Sequence, residues 1–313
     1  MKVLLALAVG FVTVRYLAIA GHDMLHVPLL LRENYRRVLV PTAGGILIVA
    51  AALTIESGRS VLGAFSVGDA PGSNAARPLV LFACFGFGLL GLIDDLLGDG
   101  SARGFVGHLG ALVRGRLTTG ALKIIGGTAI ALVLAASPGF ITGKRLVSDA
   151  LLIALAANLA NLFDRAPGRT IKWVLLAYIP FAIVAGTGEV AMAVAPVMGA
   201  ALGVLGDDVR ERIMLGDTGA NVLGGVLGLA VVLDVGRGSR NAILLVLVLL
   251  NLAAELVSFS AVIDRFPPLR WFDGLGRREV SGSSHTVGAT VTDAGETSTA
   301  PRIRRAADAR EGR

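Results

Sequence analysis

The chain has 313 residues, 54% apolar and only 17% charged, with 41 glycines and one cysteine, Cys84. Soluble domains lie nearer about 45–50% apolar and about 25% charged, so this balance excludes an ordinary water-soluble fold and points to lipid as the solvent. One cysteine excludes an intrachain disulfide or cysteine-based zinc site, and a net charge of +6, clustered between apolar runs, reads as basic loops beside anionic lipid, with no nucleic acid as partner.

A span needs about 20 mostly apolar residues, and the sequence predicts about nine, making an all-α polytopic bundle. The first covers 3–20; no small-residue cleavage site followed by a soluble region makes it a signal peptide. The second, 44–62, opens on Pro41-Thr42-Ala43-Gly44-Gly45, either a loop that lets other groups pack close or simply a helix start. The third, 78–97, ends in Gly91-Leu92-Ile93-Asp94-Asp95. Adjacent carboxylates at the hydrocarbon edge need water, a cation or basic partners; a hydrated helix-end pair is the plainer alternative. Lys123 starts the fourth, 122–138, as a phosphate ligand or as a lysine snorkelling to the interface.

The fifth, 148–163, closes on Asn158, Asn161 and Asp164, whose three-residue spacing predicts a polar stripe on one helix face. Such a stripe lines a site or makes interhelical hydrogen bonds. Pro180, Gly186, Gly188 and Pro196 interrupt the sixth and seventh, 172–187 and 189–206, which is tolerated where neighbours satisfy the freed backbone groups. Asp207 and Asp208 then read as loop charges beside Arg210 and Arg212. The eighth, 220–235, is entered through Met214-Leu215-Gly216-Asp217-Thr218-Gly219-Ala220-Asn221. Its glycines permit close approach to phosphate, the helix start favours anions, and Asp217 suits Mg²⁺ shared with substrate phosphates. The ninth is 241–263. From Ser281 the polar composition predicts a disordered cytoplasmic tail, 281–313, after a transmembrane domain, 1–280.

Basic residues set the orientation. With the N-terminus outside and the C-terminus cytoplasmic, 21 of the 29 lysines and arginines fall inside, leaving Lys2, Arg15, Arg59, Arg77, Lys144, Arg145, Arg237 and Arg240 outside. All five constellations then reach one cytoplasmic face. Carboxylates, a lysine and glycine turns on one face describe a site for Mg²⁺ and a diphosphate.

At these residues, from about Pro41 to Arg277, the chain resembles the polyprenyl-phosphate N-acetylhexosamine-1-phosphate transferases. The resemblance rests on the PTAGG segment, the Asp94-Asp95 pair, the NxxNxxD stripe and the LGDTGAN turn, in the family's order. It implies a bacterial inner-membrane enzyme that transfers a sugar 1-phosphate from a UDP-sugar to a polyprenyl phosphate and releases UMP, in cell-envelope polysaccharide or peptidoglycan precursor synthesis. It also implies roles. Asp217 would bind Mg²⁺, with Mn²⁺ as a substitute, and Asp94 and Asp95 would orient or deprotonate the lipid phosphate. Asn161 and Asp164 would line the nucleotide and catalytic pocket, with Lys123 near the phosphates, while Gly44, Gly45 and Asn158 join the substrate-binding set. Expected partners are the UDP-sugar, polyprenyl phosphate, membrane lipid and a second copy of the chain.

Two departures stand out. The family's stripe continues DGxDGL; here it reads Asp164-Arg165-Ala166-Pro167-Gly168-Arg169, with Pro167 in place of the second acid. The histidine-rich box of the last cytoplasmic loop is replaced by Pro267-Pro268-Leu269-Arg270-Trp271-Phe272-Asp273 and Gly276-Arg277. Arg270 and Arg277 either grip phosphates there or belong to a basic, aromatic membrane anchor. These departures favour a UDP-sugar other than the pentapeptide-bearing donor. A non-catalytic relative that binds polyprenyl lipid or envelope-assembly partners is the competing expectation.

Overall fold

The apolar runs fold as helices because in hydrocarbon every backbone N–H and C=O must be paired internally. The computed structural model describes residues 1–98, 107, 110, 112–137 and 142–277. In chain order, α1 is Lys2–Ala20, α2 the single turn His22–Leu25, α3 Ile46–Ala64 and α4 Ala76–Leu97. Then follow α5 Thr119–Ala136, α6 Gly143–Phe163, α7 Arg169–Ala185, α8 Glu189–Val209, α9 Gly216–Asp234 and α10 Arg237–Leu256. Two short helices, α11 Phe259–Arg265 and α12 Pro267–Gly274, finish the described chain. Residues 1–278 form one compact unit; the predicted tail, 281–313, lies outside the described residues.

Among the described residues nine helices are long, as the sequence predicts, and eight of these are long and apolar enough to cross a membrane. The protein is therefore an all-α multi-pass membrane bundle. The ninth long helix, α7, has 17 residues and contains Pro180, giving about 25 Å of rise against about 30 Å of hydrocarbon. The last expected span is shorter than predicted. It stops at Leu256, and 259–265 turns off as separate α11. One unforeseen element joins them, an antiparallel hairpin of β1 Leu31–Glu33 and β2 Leu39–Pro41, with Arg32 opposite Val40.

Helix α9 is the axis, 83% buried over its apolar window, whereas α10 is 11% buried and shows Leu245, Leu249, Leu252 and Leu256 to the surroundings. A lipid-facing helix has no reason to hide leucine; a central one must be small-sided to let neighbours in. Helices α1 and α8 run parallel and touch through backbone. A Cβ on Gly199 would strike the Leu7 carbonyl, and one on Gly10 the Pro196 carbonyl. Pro196 removes the N–H that would have bonded the Met192 carbonyl. The Arg59 guanidinium, steadied by Glu56 at 2.9 Å, donates to that carbonyl at 3.1 Å instead. The parallel pairing also corrects one expectation: Arg15 is not at the far end but donates to Gly203 O (3.2 Å) and pairs with Asp207, toward the end where the acidic motifs gather.

Candidate functional site

The PTAGG and LGDTGAN segments are built against each other. Met214 N–H donates to the Pro41 carbonyl (2.8 Å), Gly44 N–H to Met214 O (2.9 Å) and Gly45 N–H to Leu215 O (2.9 Å). A Cβ on Gly45 would collide with the backbone of Gly219, so no larger residue allows this crossing. Gly216 takes a left-handed φ of +71°, and a side chain there would lie 2.6 Å from the Asp95 carboxylate. The glycines therefore do not leave a loose phosphate loop; they let two chain segments meet at the start of α9.

Asp95 closes that junction. Its carboxylate accepts from Asp217 N–H (2.9 Å), Thr218 N–H (2.9 Å) and the Thr218 hydroxyl (2.6 Å). It thus caps the free amides at the start of α9 from a different helix, α4. With three donors on two oxygens, Asp95 positions Asp217. The end of α4 is fixed in turn by Arg32, which donates to Leu96 O at 3.0 Å.

The reactive cluster lies one residue away. Lys123, in the first turns of α5 behind an N-cap bond from Ala121 N–H to Thr118 Oγ1 (3.1 Å), sends its ammonium between two carboxylates. It pairs with Asp94 Oδ2 at 3.2 Å and makes a close contact with Asp217 Oδ2. The hydrogen-bond pattern orients the Asn161 amide: its oxygen accepts from Lys123 Nζ at 3.0 Å and its nitrogen donates to Asp217 Oδ1 at 2.6 Å. Helices α4, α5, α6 and α9 thus each contribute one polar group to a single point. Asp164, just past the end of α6, accepts from the Thr170 hydroxyl at 3.2 Å. Burial, then the charges of Asp208, Asp217 and Asp95, push the Asp164 carboxyl well above the ordinary range.

Asp94 and Asp217 meet one ammonium, and the Asp95 and Asp164 carboxylates lie near enough to act on one another and on Asp217. An acidic excess with amide and carboxylate oxygens on one point suits a hard divalent cation, which takes few protein ligands and leaves positions for substrate phosphates. Among the described residues no three His, Cys, Asp or Glu side chains form a ready metal cage. The donor set therefore fits an ion shared with a substrate better than a closed structural site.

Asn158 does not join this point. Its Nδ2 donates to Asn251 Oδ1 on α10 at 2.7 Å, and Asn251 donates back to Leu155 O at 3.3 Å and to its own helix at Leu247 O, 2.8 Å. At 3.6 residues per turn, each three-residue step drifts by about 60°, so Asn158 and Asp164 face directions about 120° apart. Both asparagines make interhelical hydrogen bonds, Asn158 away from the Lys123 point and Asn161 at it.

Sequence reading missed a second layer. Asp207 and Asp208 lie in the last turn of α8, not in a loop. Buried Asp208 accepts from Gly168 N–H (2.9 Å) and Leu215 N–H (3.1 Å), tying the loop after Asp164 to the turn before Asp217. At the start of α7, Arg169 makes a two-pronged pair with Asp273, both bonds 2.9 Å, and reaches Ser260 Oγ at 2.7 Å. Lys172 donates to the last carbonyls of α12, Phe272 at 3.4 Å and Asp273 more closely, and to Leu275 at 3.2 Å. Burial alone would push the Asp273 carboxyl up, but Arg169 and then Arg277 hold it below the ordinary range.

The expected phosphate-gripping arginines are placed otherwise. Arg277 pairs with Asp273 at 2.8 Å and donates from Nε to the Pro167 carbonyl at 3.0 Å, while Arg270 is exposed beside Trp271, itself 68% exposed. Among the described residues neither arginine is bonded to the Lys123 cluster. Stacking of Phe163 on Phe259 (4.8 Å) and the edge contact of Trp173 with Phe272 (5.3 Å) complete the attachment of α11 and α12.

The comparisons agree with the resemblance read from the motifs. The chain is similar to the phospho-N-acetylmuramoyl-pentapeptide-transferase of Oceanobacillus iheyensis, 29% identical over 218 residues that cover 63% of this chain and 62% of that protein. It is also similar to the phospho-N-acetylmuramoyl-pentapeptide-transferase of Bartonella quintana, 28% identical over 262 residues, 74% of this chain and 68% of that protein. The matches thus span about two thirds of those relatives' length. No protein-family model matches the chain. The likeness to those transferases is at the level of 28–29% identity.

Proposed function

We propose that this chain is a polyprenyl-phosphate sugar-1-phosphate transferase of the bacterial inner membrane, working at the cytoplasmic face on a UDP-sugar of the N-acetylhexosamine type. An oxygen of the lipid phosphate forms a bond to the sugar-bearing phosphorus of the donor, the diphosphate P–O bond breaks, and UMP leaves. The observation that carries the reading is the meeting of Asp94, Asn161 and Asp217 on the Lys123 ammonium. Similarity to two pentapeptide transferases supports the reaction class. The substitution of the DGxDGL stripe around Pro167 supports a donor other than the pentapeptide-bearing one.

Phosphoryl transfer needs in-line positioning and neutralised charge more than covalent catalysis by the protein. Asp217 and Asp94, with the Asn161 oxygen, would hold the Mg²⁺, which when bound neutralises the diphosphate and makes its phosphorus easier to attack. Lys123 brings a second positive charge to the same point on a flexible stem, suited to follow a phosphate oxygen. Asp95 and Asp208 keep the start of α9 rigid, so Asp217 does not shift as charge develops.

The direct test is UMP release by purified protein supplied with Mg²⁺, undecaprenyl phosphate and a panel of UDP-N-acetylhexosamines. One donor is expected to turn over, and silence with every donor would favour a lipid-binding relative without catalysis. Orientation is checked on a Cys84→Ser background with an impermeant thiol reagent in intact cells. Val67→Cys and Gly236→Cys should label from outside and Arg165→Cys should not; outside labelling at Arg165→Cys removes the cytoplasmic site.

A further inference from the structure

At the opposite end of the bundle from Lys123, a cavity of 260 Å³ opens between the first turns of α6 and α10, lined by Lys144, Arg145, Asp149, Arg237, Arg240 and Asn241 among others. Along α6 the cavity's Arg145 and the cluster's Asn161 are separated by about 25 Å of helix rise. Four cations meet one carboxylate there. Asp149, itself buried, holds two of them: it accepts from Arg240 at 3.0 Å and from Arg145 Nε at 3.3 Å. Lys144 and Arg237 have no ion pair among the described residues.

Two features call for an anion. Arg240 is only 7% exposed, donates to Asp149 and to Val232 O at 3.0 Å, yet its Nε has no partner. A buried charged donor left without an acceptor is costly, and a ligand oxygen would relieve that cost. Second, neither α6 nor α10 has an acidic residue in its first turn; basic side chains crowd there instead. Cations at a helix start oppose the positive end of the helix dipole. Two helix starts and four cations facing one small cavity leave positive charge beyond what Asp149 offsets, which favours a bound anion. Arginine's planar fork matches phosphate oxygens in particular. The volume lies below the range of about 300–1,000 Å³ for drug-sized ligands, so a headgroup-sized group fits, and the ends of spans lie at headgroup level.

We propose that this cavity binds a phosphate-bearing anion, at a site separate from the acidic cluster. The test compares wild-type protein with the Lys144→Gln/Arg237→Gln double variant, which leaves the Asp149–Arg240 pair in place. Both are delipidated in neutral detergent and titrated with inorganic phosphate and, separately, with dihexanoyl phosphatidylglycerol, following the thermal midpoint. The wild-type midpoint should rise, with at least about tenfold weaker binding in the double variant. Response to phosphatidylglycerol alone assigns a lipid headgroup, and response to inorganic phosphate assigns the free ion. Because the acidic cluster is unchanged, phosphate bound there contributes equally to both proteins. No wild-type response to either probe, or equal responses from both proteins, overturns the site. Should the double variant fail to fold, Arg237→Gln alone, at an exposed position, takes its place under the same criteria.

Discussion

Asp217→Asn should lower turnover by about three orders of magnitude while the protein stays folded and inserted. The substitution keeps size but removes the charge that balances a divalent ion beside a diphosphate. It also fails locally, because the Asp217 carboxylate is approached by two donors, Lys123 Nζ on one oxygen and the Asn161 amide on the other. An asparagine must turn its own NH₂ toward one of them, and two donors cannot bond each other. Excess Mg²⁺ should therefore restore only part of the rate, since transition-state charge is lost along with metal affinity. Asp207→Asn is the control. Asp207 pairs with Arg15 and with Arg212 at 3.2 Å and touches nothing in the cluster, so its variant should stay within about threefold of wild type. Wild-type rates from Asp217→Asn at limiting Mg²⁺, with fold checked by thermal midpoint, would sink the metal assignment.

Arg169→Ala should cost about 3–5 kcal/mol, because it leaves the buried Asp273 carboxylate without its two-pronged partner. Arg169 and Asp273 side chains are 4% and 3% exposed, so water cannot take over. The expected thermal midpoint is lower by on the order of 10 °C. Removing both charges, Arg169→Met with Asp273→Leu, should recover most of the loss, since breaking a buried pair costs more than deleting it. A double variant as unstable as Arg169→Ala would show that the bonds of Arg169 to Ser260 and of Asp273 to Arg277 matter more than the pair.

The bundle was legible in the sequence because lipid leaves one backbone solution, and hydropathy alone marks where it is used. Its small corrections come where hydropathy is indifferent: Val257 and Ser258 interrupt an apolar run that reads as continuous to residue 263. Site residues were legible where a carboxylate or lysine stood at a helix end, as Asp94, Lys123 and Asp217 do. Division of labour was not. Asp94 and Asp95 are neighbours in sequence, yet 100° around a helix sends one to Lys123 and the other to the amides of α9. The bonds that set the roles of Asp208, Arg169 and Asp273 had no local signal, since Gly168 is 40 residues from Asp208 and Asp273 is 104 from Arg169. A polar stripe with a three-residue period looked uniform, and only helical drift separates Asn158 from Asn161.

The contact between Arg277 and the Pro167 carbonyl has a consequence for any redesign of the last loop. Pro167 and the arginine-bearing last loop look in sequence like two independent losses, one of an acid and one of a histidine box, 110 positions apart. In space they are one joint: Asp208 holds the Gly168 amide, Arg277 holds the carbonyl just before it, and Arg169, next in line, holds Asp273. Arg277 holds a backbone carbonyl, so the joint rests on the arginine and on the path of the chain at 167, and any residue there would offer the same acceptor. Grafting a histidine box in place of the last loop would remove Asp273 and Arg277 together and leave Arg169 and the 167 carbonyl without their partners.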